Sequence, residues 1–464
     1  MTLWTKIELL EALADEILEY QIPDNLEIDE VLIDSRKITK NGLFIAIRGE
    51  NNDGHKFLTQ TFENGSILAI VEETQQKNFI KVKDSFLALY KLAEFSRNRS
   101  KAKIIAITGS VGKTSTKELL KLALENYGKT FATIGNLNNH FGVPLSLCNF
   151  SKDCDFGIFE MGMNHLNEIT PLSKLAKPHL AIITNVAPVH IEFFKNEEEI
   201  ALAKSEIFAG LTSDGIVLIN KDNQHFNFLE AQAQKLNIKN IFSFGENSKS
   251  DYCLKEFIID GISHSKILVK TKNDEIKYQI STSNKANIFN SVIIVGALSL
   301  LLKEPKINLE NLNNFKEKSG RGEILEVNFN NKKVTIIDDS YNASLPSISS
   351  GIDYAISLKK SLNKKRVVIL LGDMLELGEK SVALHEEVSK KLATNNIAND
   401  IDFVILVGEE MSKISNKLNS ISYQTFKNSE LASNEIENIV EDNDVLYVKG
   451  SRGMKLEKII NKLK

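Results

Sequence analysis

Residues 101–128 read KAKIIAITGSVGKTSTKELLKLALENYG, and this stretch decides the fold. IIAIT is a short, continuous apolar run with β-branched side chains, the pattern of a strand buried on both faces. TSTKELLKLALEN then changes to helical spacing, with Leu119, Leu122 and Leu120 expected toward one side. Gly109 and Gly112 lie between the two and let the chain turn tightly with its N–H groups pointing inward. The N-terminus of the helix that follows favours an anion. Gly109, Ser110, Val111 and Gly112 are therefore expected to cradle phosphate, with Lys113 on the phosphate oxygens and the Thr114 hydroxyl available to Mg²⁺. Ile107 stands where the common loop pattern has its first glycine, so the motif predicts nucleotide binding without predicting an ordinary GTPase or motor.

Downstream, DFGIFE (155–160) and HLAIITN (179–185) read as further buried strands, which makes the order strand, helix, strand of a mostly parallel sheet. Glu160 closes the first of these strands, at the same sheet edge as the phosphate loop. His190 follows the second after a turn containing Pro188, so Thr114, Glu160 and His190 are candidates to converge on a divalent cation. Mg²⁺ prefers oxygen ligands, which makes a histidine the less usual member of that set. Lys204, in ALAKSEIF, reads by itself as one more surface lysine.

Upstream, VLIDSR (31–36) and GLFIAIRG (42–49) read as strands joined through an Asn41-Gly42 turn, and DSFLALYKLAEFSRNR (84–99) as a helix. Residues 240–285 are strand-rich and irregular. The last third has its own strand and helix rhythm in KVTIIDD (333–339), KRVVILLGD (365–373), DFVILVGE (402–409) and DVLYVKG (444–450). Three α/β domains are expected: 1–99, a central 100–318 and a C-terminal 319–464. In the last of them, Asp339 and Asn342 can cap the helix after KVTIIDD, and Ser451 and Arg452 can either bind a carboxylate or form a polar turn.

A net charge of -4, from 57 basic and 61 acidic residues among 464, predicts no nucleic-acid partner. MTLWTKIELLEAL lacks the features of a secretory signal, and no run reaches the roughly 20 apolar residues of a membrane span, so a cytoplasmic protein without stable membrane insertion is expected. Cys148, Cys154 and Cys253 are too few for a disulfide framework or a tetrathiolate site and are expected to be buried or half-buried.

Ten blocks in order resemble the Mur ligase family and cover nearly the whole chain: DSRKITKNGLFIAIRGENNDGHKF (34–57), TGSVGKTSTKE (108–118), GNLNNHFGVPL (135–145), EMGMNHLNEI (160–169), ITNVAPVHIEFF (183–194), AKSEIF (203–208), GRGEI (320–324), DDSYNASLPS (338–347), LGDMLELG (371–378) and KGSRGMKLE (449–457). The resemblance implies a small N-terminal α/β domain for a UDP-linked substrate, a central P-loop ATPase domain and a C-terminal Rossmann-like domain. It implies an ATP- and Mg²⁺-dependent ligase, closest to the branch that joins D-alanyl-D-alanine to UDP-N-acetylmuramoyl-tripeptide for peptidoglycan synthesis, working as a monomer. Carried over residue by residue, it places Asp34, Ser35 and Arg36 on the nucleotide sugar and Lys113 and Thr114 at the ATP phosphates and Mg²⁺. Glu160 and His190 match metal positions, and Lys204 matches a lysine carbamylated by carbon dioxide. Asn287, Asn290, Arg321 and Asp338 match nucleotide contacts, and Asn138, Asn342, Ser451 and Arg452 match substrate contacts.

Two positions depart from the family pattern: Ala286 replaces a histidine, and Asn167 stands where Gly-Glu-Ile is usual. Two other readings compete, a related ligase using another amine and a nucleotide-controlled binding protein without ligation. A panel of amines discriminates the first, and a search for amide product the second.

Overall fold

The computed structural model describes residues 2–464 apart from 50, 51, 75, 190, 262, 303–305, 419 and 420. Three larger sheets follow one another along the chain. The first has five strands in the order Ile17–Gln21, Phe79–Val82, Ser66–Val71, Gly42–Ile45 and Glu30–Leu32, all parallel except the first pair. The strand expected over 31–36 stops at Leu32. Asp34 instead caps a single 3₁₀ turn, Ser35–Lys37, by accepting the Arg36 N–H. Asn41 takes up the expected turn with φ 63°, a left-handed conformation that asparagine tolerates.

The second sheet has nine strands. Its centre is parallel, with Leu180–Ile183, Lys103–Thr108 and Phe156–Glu160 side by side, so Thr108 and Glu160 end at one edge. The irregular 240–285 region becomes an antiparallel extension, Tyr252–Asp260, His264–Lys270 and Glu275–Ile280. The third sheet has six strands, with Lys332–Asp339, Asp444–Lys449 and Arg366–Gly372 as parallel neighbours. Each central strand is apolar because helices cover both its faces. One buried core runs through all three units, from Trp4 and Leu43 through Ala106 and Phe159 to Ile337 and Leu371.

The phosphate-loop helix, Lys113–Leu124, buries Thr116, Leu119, Leu120, Ala123 and Leu124, while Leu122 is half-buried. The helix Lys285–Leu302 is, among the described residues, the one long and apolar enough to cross a membrane. It is a core helix here: 61% of it is buried, and Ile288, Val292 and Val295 pack beneath the central sheet. The three cysteines are free and buried, as expected. Asn167 adopts φ 69°, which explains the departure there: the position needs a left-handed residue, and asparagine serves almost as well as glycine.

His179 fixes the edge of the strand that feeds the phosphate loop, because its Nδ1 accepts the Ile104 N–H at 2.9 Å. That bond requires an unprotonated ring nitrogen, and burial, then Lys103 and Arg97, push the imidazole down to about 4. Between the unfolded value near 6.5 and the folded value near 4, the unfolded chain binds more protons. This group therefore removes stability as pH falls through that window. Thermal melts from pH 7 to pH 4 should show a decline that is smaller in His179→Gln, and equal slopes would show that His179 is not responsible.

Candidate active site

The parallel ends of the second sheet face those of the third across a cleft of about 500 Å³. Gly109 to Thr114 line its floor, with Asn138, Glu160 and Lys204 beside them and Asn287, Asn290, Arg321 and Asn342 around the rim. Residues separated by more than 200 positions in sequence thus share one cavity.

The loop is shaped by its glycines. Gly109 has φ 153°, and a Cβ there would lie 1.9 Å from Thr184 Oγ1. Gly112 has φ 87° and faces the Asn290 amide. Ser110 Oγ donates to Ala187 O and accepts the Ala187 N–H, each at 2.9 Å, which ties the loop to the segment after the Leu180–Ile183 strand. Lys113 Nζ donates to Gly109 O at 2.6 Å, so its ammonium lies inside the turn. Burial lowers the Lys113 pKa, with Glu160 opposing the shift and Arg321 adding to it.

Thr114 Oγ1 donates to Glu160 Oε2 at 2.9 Å, and Asn138 Nδ2 donates to Glu160 Oε1 at 2.9 Å. A buried hydroxyl and one buried carboxylate beside a phosphate loop suit Mg²⁺, which takes few protein oxygens and completes its shell with water and phosphate. Among the described residues no group of three or more His, Cys, Asp or Glu gathers. His190 lies outside the described residues. Lys204, only 3% exposed, is no surface lysine: burial, and then Lys113, hold it far below the usual ammonium value.

Several expected residues sit elsewhere. Asp338 does not line the cleft, because its carboxylate accepts from Ser319 Oγ at 3.1 Å, Gly320 N at 2.9 Å and Ser340 Oγ at 2.6 Å. It shapes the GRGEI turn that carries Arg321, and the acid that lines the cleft is Asp339. Asp339 Oδ2 accepts from Lys449 Nζ at 2.6 Å and from the Tyr447 hydroxyl at 3.3 Å. Neither Asp339 nor Asn342 caps the next helix, whose N-cap is Ser344.

Ser451 and Arg452 also stand outside the cleft lining. Ser451 Oγ accepts the Leu375 N–H at 2.9 Å and so ties KGSRG to LGDMLELG. Arg452 reaches the cleft edge through Tyr341, whose ring has Arg321 4.0 Å and Arg452 5.4 Å from its centroid. Asp34, Ser35 and Arg36 do not line the cleft, and Arg36 Nε donates to Asp34 Oδ1 at 2.8 Å. Ala286 lines the cleft with exposed surface, where a histidine would have projected.

Sequence reading missed Lys117, Asn136 and Lys449. Lys117 had a signal, since it lies four residues after Lys113 on the same helix face. Lys449 had a weaker one, as a charged residue ending an apolar strand.

The central and C-terminal units also touch at the cleft wall, where Tyr354 stands, and at Glu192. Ser283 Oγ and the Tyr354 hydroxyl are 2.6 Å apart, and Glu192 N donates to Glu376 O at 3.4 Å. Gly378, at φ 52°, lies against Glu192, and a Cβ on it would come within 2.9 Å of the Glu192 Cβ.

The chain belongs to the Mur ligase family. The Mur ligase family catalytic domain matches residues 27–103, the Mur ligase middle domain 107–298 and the Mur ligase glutamate ligase domain 320–452. Within the family the likeness runs to the MurF type. The chain is 36% identical to the UDP-N-acetylmuramoyl-tripeptide--D-alanyl-D-alanine ligase of Rickettsia prowazekii, over 96% of this chain and 97% of that one. It is 30% identical to the enzyme of the same name from Escherichia coli, over 95% and 94%. The crystal structure of MurF from Acinetobacter baumannii superposes with a TM-score of 0.83 at 28% identity, covering 99% and 98% of the two chains. A MurF ligase from Thermotoga maritima in complex with ADP gives 0.76 at 25% identity, covering 94% and 96%.

Proposed function

We propose that the protein joins D-alanyl-D-alanine to UDP-N-acetylmuramoyl-tripeptide at the expense of ATP, as a cytoplasmic monomer in peptidoglycan precursor synthesis. Residues 1–99 hold the UDP-linked substrate through Asp34, Ser35 and Arg36, residues 100–318 bind ATP, and residues 319–464 close over it. The observation that carries this reading is the facing of Lys113, Glu160 and Lys204 by Arg321, Asp339 and Lys449 across one cleft.

The tripeptide carboxylate attacks the γ-phosphorus, and the bond to the bridging oxygen breaks, releasing ADP and leaving an acyl phosphate. The free amine of D-alanyl-D-alanine then attacks the acyl carbonyl, loses a proton and expels inorganic phosphate, forming the amide. The phosphate loop and Lys113 hold the transferring group in line and stabilise its charge by fixed N–H donors and the ammonium. Mg²⁺, held through Thr114 and Glu160, with His190 as a further ligand, would neutralise phosphate charge. Asn287, Asn290 and Arg321 orient the nucleotide, and Asn138, Asn342, Ser451 and Arg452 serve the substrates.

Water would waste the acyl phosphate, so the opposing domains must shield it while the amine enters. The test offers D-alanyl-D-alanine, D-alanine, lysine, diaminopimelate and glutamate in parallel, with phosphate release and product mass as readouts. D-Alanyl-D-alanine should give the amide and one phosphate per product. Product without ATP consumption, or preference for another amine, would overturn the assignment.

A further inference from the structure

Lys117 lies one helical turn beyond Lys113 and is fully buried. A buried ammonium is retained at substantial desolvation cost unless its donors are met, and here two backbone carbonyls and two nearby carboxylates surround it. Nζ donates to Thr133 O at 2.6 Å and to Gly135 O at 3.1 Å, and it lies 3.7 Å from Glu160 Oε2. Glu118 Oε1 is 3.5 Å away and is itself bonded to Lys318 at 2.6 Å.

The two carbonyls begin the segment 133–138, which carries Asn136 and Asn138 into the cleft. That segment is anchored at its other end as well, because Gly162 N donates to Asn138 O at 2.8 Å. It also touches Glu160 twice, its carboxylate through Asn138 Nδ2 at 2.9 Å and its main chain through Thr133 Oγ1, which accepts the Glu160 N–H at 3.3 Å. One ammonium thus joins the phosphate-loop helix, the Glu160 carboxylate and the segment that carries Asn136 and Asn138.

We propose that Lys117 is a positioning residue that sets Glu160 and the 133–138 segment in register with the phosphate loop, so that the acceptor and the phosphoryl group meet in line. The role rests on the ligase reading above. A residue that only fills volume would be replaced well by methionine, whose shape matches the stem. A residue that places other groups would not, because methionine leaves two backbone carbonyls without a donor and the carboxylate without its cation.

Gly135 offers an independent handle. It has φ 58°, is exposed, and no atom lies within 4 Å of where its Cβ would be, so Gly135→Val disturbs the backbone conformation without a clash. Gly135→Asn suits a left-handed position and should restore what valine loses.

The experiment measures ADP binding by calorimetry without Mg²⁺, Mg²⁺ dependence of ADP binding, binding of the UDP-linked acceptor alone, and turnover, in wild type, Lys117→Met, Gly135→Val and Gly135→Asn. Lys117→Met and Gly135→Val should keep Mg²⁺-free ADP affinity within about twofold, since the loop donors are untouched. Both should weaken acceptor binding and the Mg²⁺ response, with kcat reduced about a hundredfold in Lys117→Met, as expected for misplacement by about 1 Å. Gly135→Asn should stay near wild type.

Lys117→Met with unchanged acceptor binding and Mg²⁺ response would overturn the proposal. So would a loss of Mg²⁺-free ADP affinity parallel to the loss of kcat, which would assign Lys117 to the nucleotide. If Lys117→Met does not fold, Gly135→Val behaving as wild type would overturn it instead. The two readings fail separately, because wild type making no amide removes the ligase assignment while the ADP and Mg²⁺ titrations still report on Lys117.

Discussion

Lys113→Ala is expected to lower turnover by about a hundredfold or more, the range seen when a donor to transition-state charge is removed. The ammonium rests on Gly109 O at 2.6 Å and is held inside the turn rather than in bulk water. A phosphate arriving in the loop offers it a stronger, charged acceptor than that carbonyl. Its interaction strengthens further as the γ-phosphoryl group transfers, so the loss should fall on kcat and not only on nucleotide binding. Steady-state phosphate release together with ADP calorimetry separates the two. Turnover within a few-fold of wild type would remove Lys113 from the chemistry. Circular dichroism of the variant should be unchanged, because the ammonium bonds only its own loop.

Lys204→Ala should cause a loss of similar size, for a different reason. Burial, and then the charge of Lys113, hold the Lys204 pKa well below the usual ammonium value, which favours the neutral amine relative to an exposed lysine. A neutral amine can add carbon dioxide and release a proton, giving a carbamate that places negative charge beside Lys113. That conversion sets an anion, in place of an uncharged amine, against the Lys113 ammonium, a favourable pair of opposite charges. Short carboxylic acids such as formate or acetate should partly restore activity to Lys204→Ala by supplying the missing anion. Active enzyme prepared in ¹³C-labelled bicarbonate should show a carbamate carbon by NMR, and an unmodified Lys204 in active protein would count against the idea.

Much of this site was legible because its chemistry is local. The phosphate loop is contiguous, needs two left-handed glycines and precedes a helix, and Gly109 and Gly112 sit where the pattern placed them. Glu160 could be put at the correct sheet edge because a strand's last residue inherits its neighbours' register. Long-range pairing was not legible in the same way.

Asp338 and Asp339 are adjacent and chemically equal, and only the pleat decides that one turns into the GRGEI turn while the other faces the cleft. Lys204 looked like a surface residue because a short helix carries no sign of what covers it. Nothing local reveals that the Ser451 oxygen also takes the Leu375 N–H, a tie between two distant blocks. The strand at 31–36 was read too long because Asp34, a good capping residue, ends it sooner than its apolar pattern suggests.

The meeting of Glu192 with Glu376 and Gly378 has a consequence for how the molecule can change over time. The hydrogen bond there runs from main chain to main chain, so the identity of residue 192 is nearly invisible to it. Position 378 has no such latitude, since any side chain would intrude on its neighbour and strain a left-handed turn. Drift can rewrite one half of this contact freely while the other half stays frozen, so the glycine marks the seam that sequence change must respect.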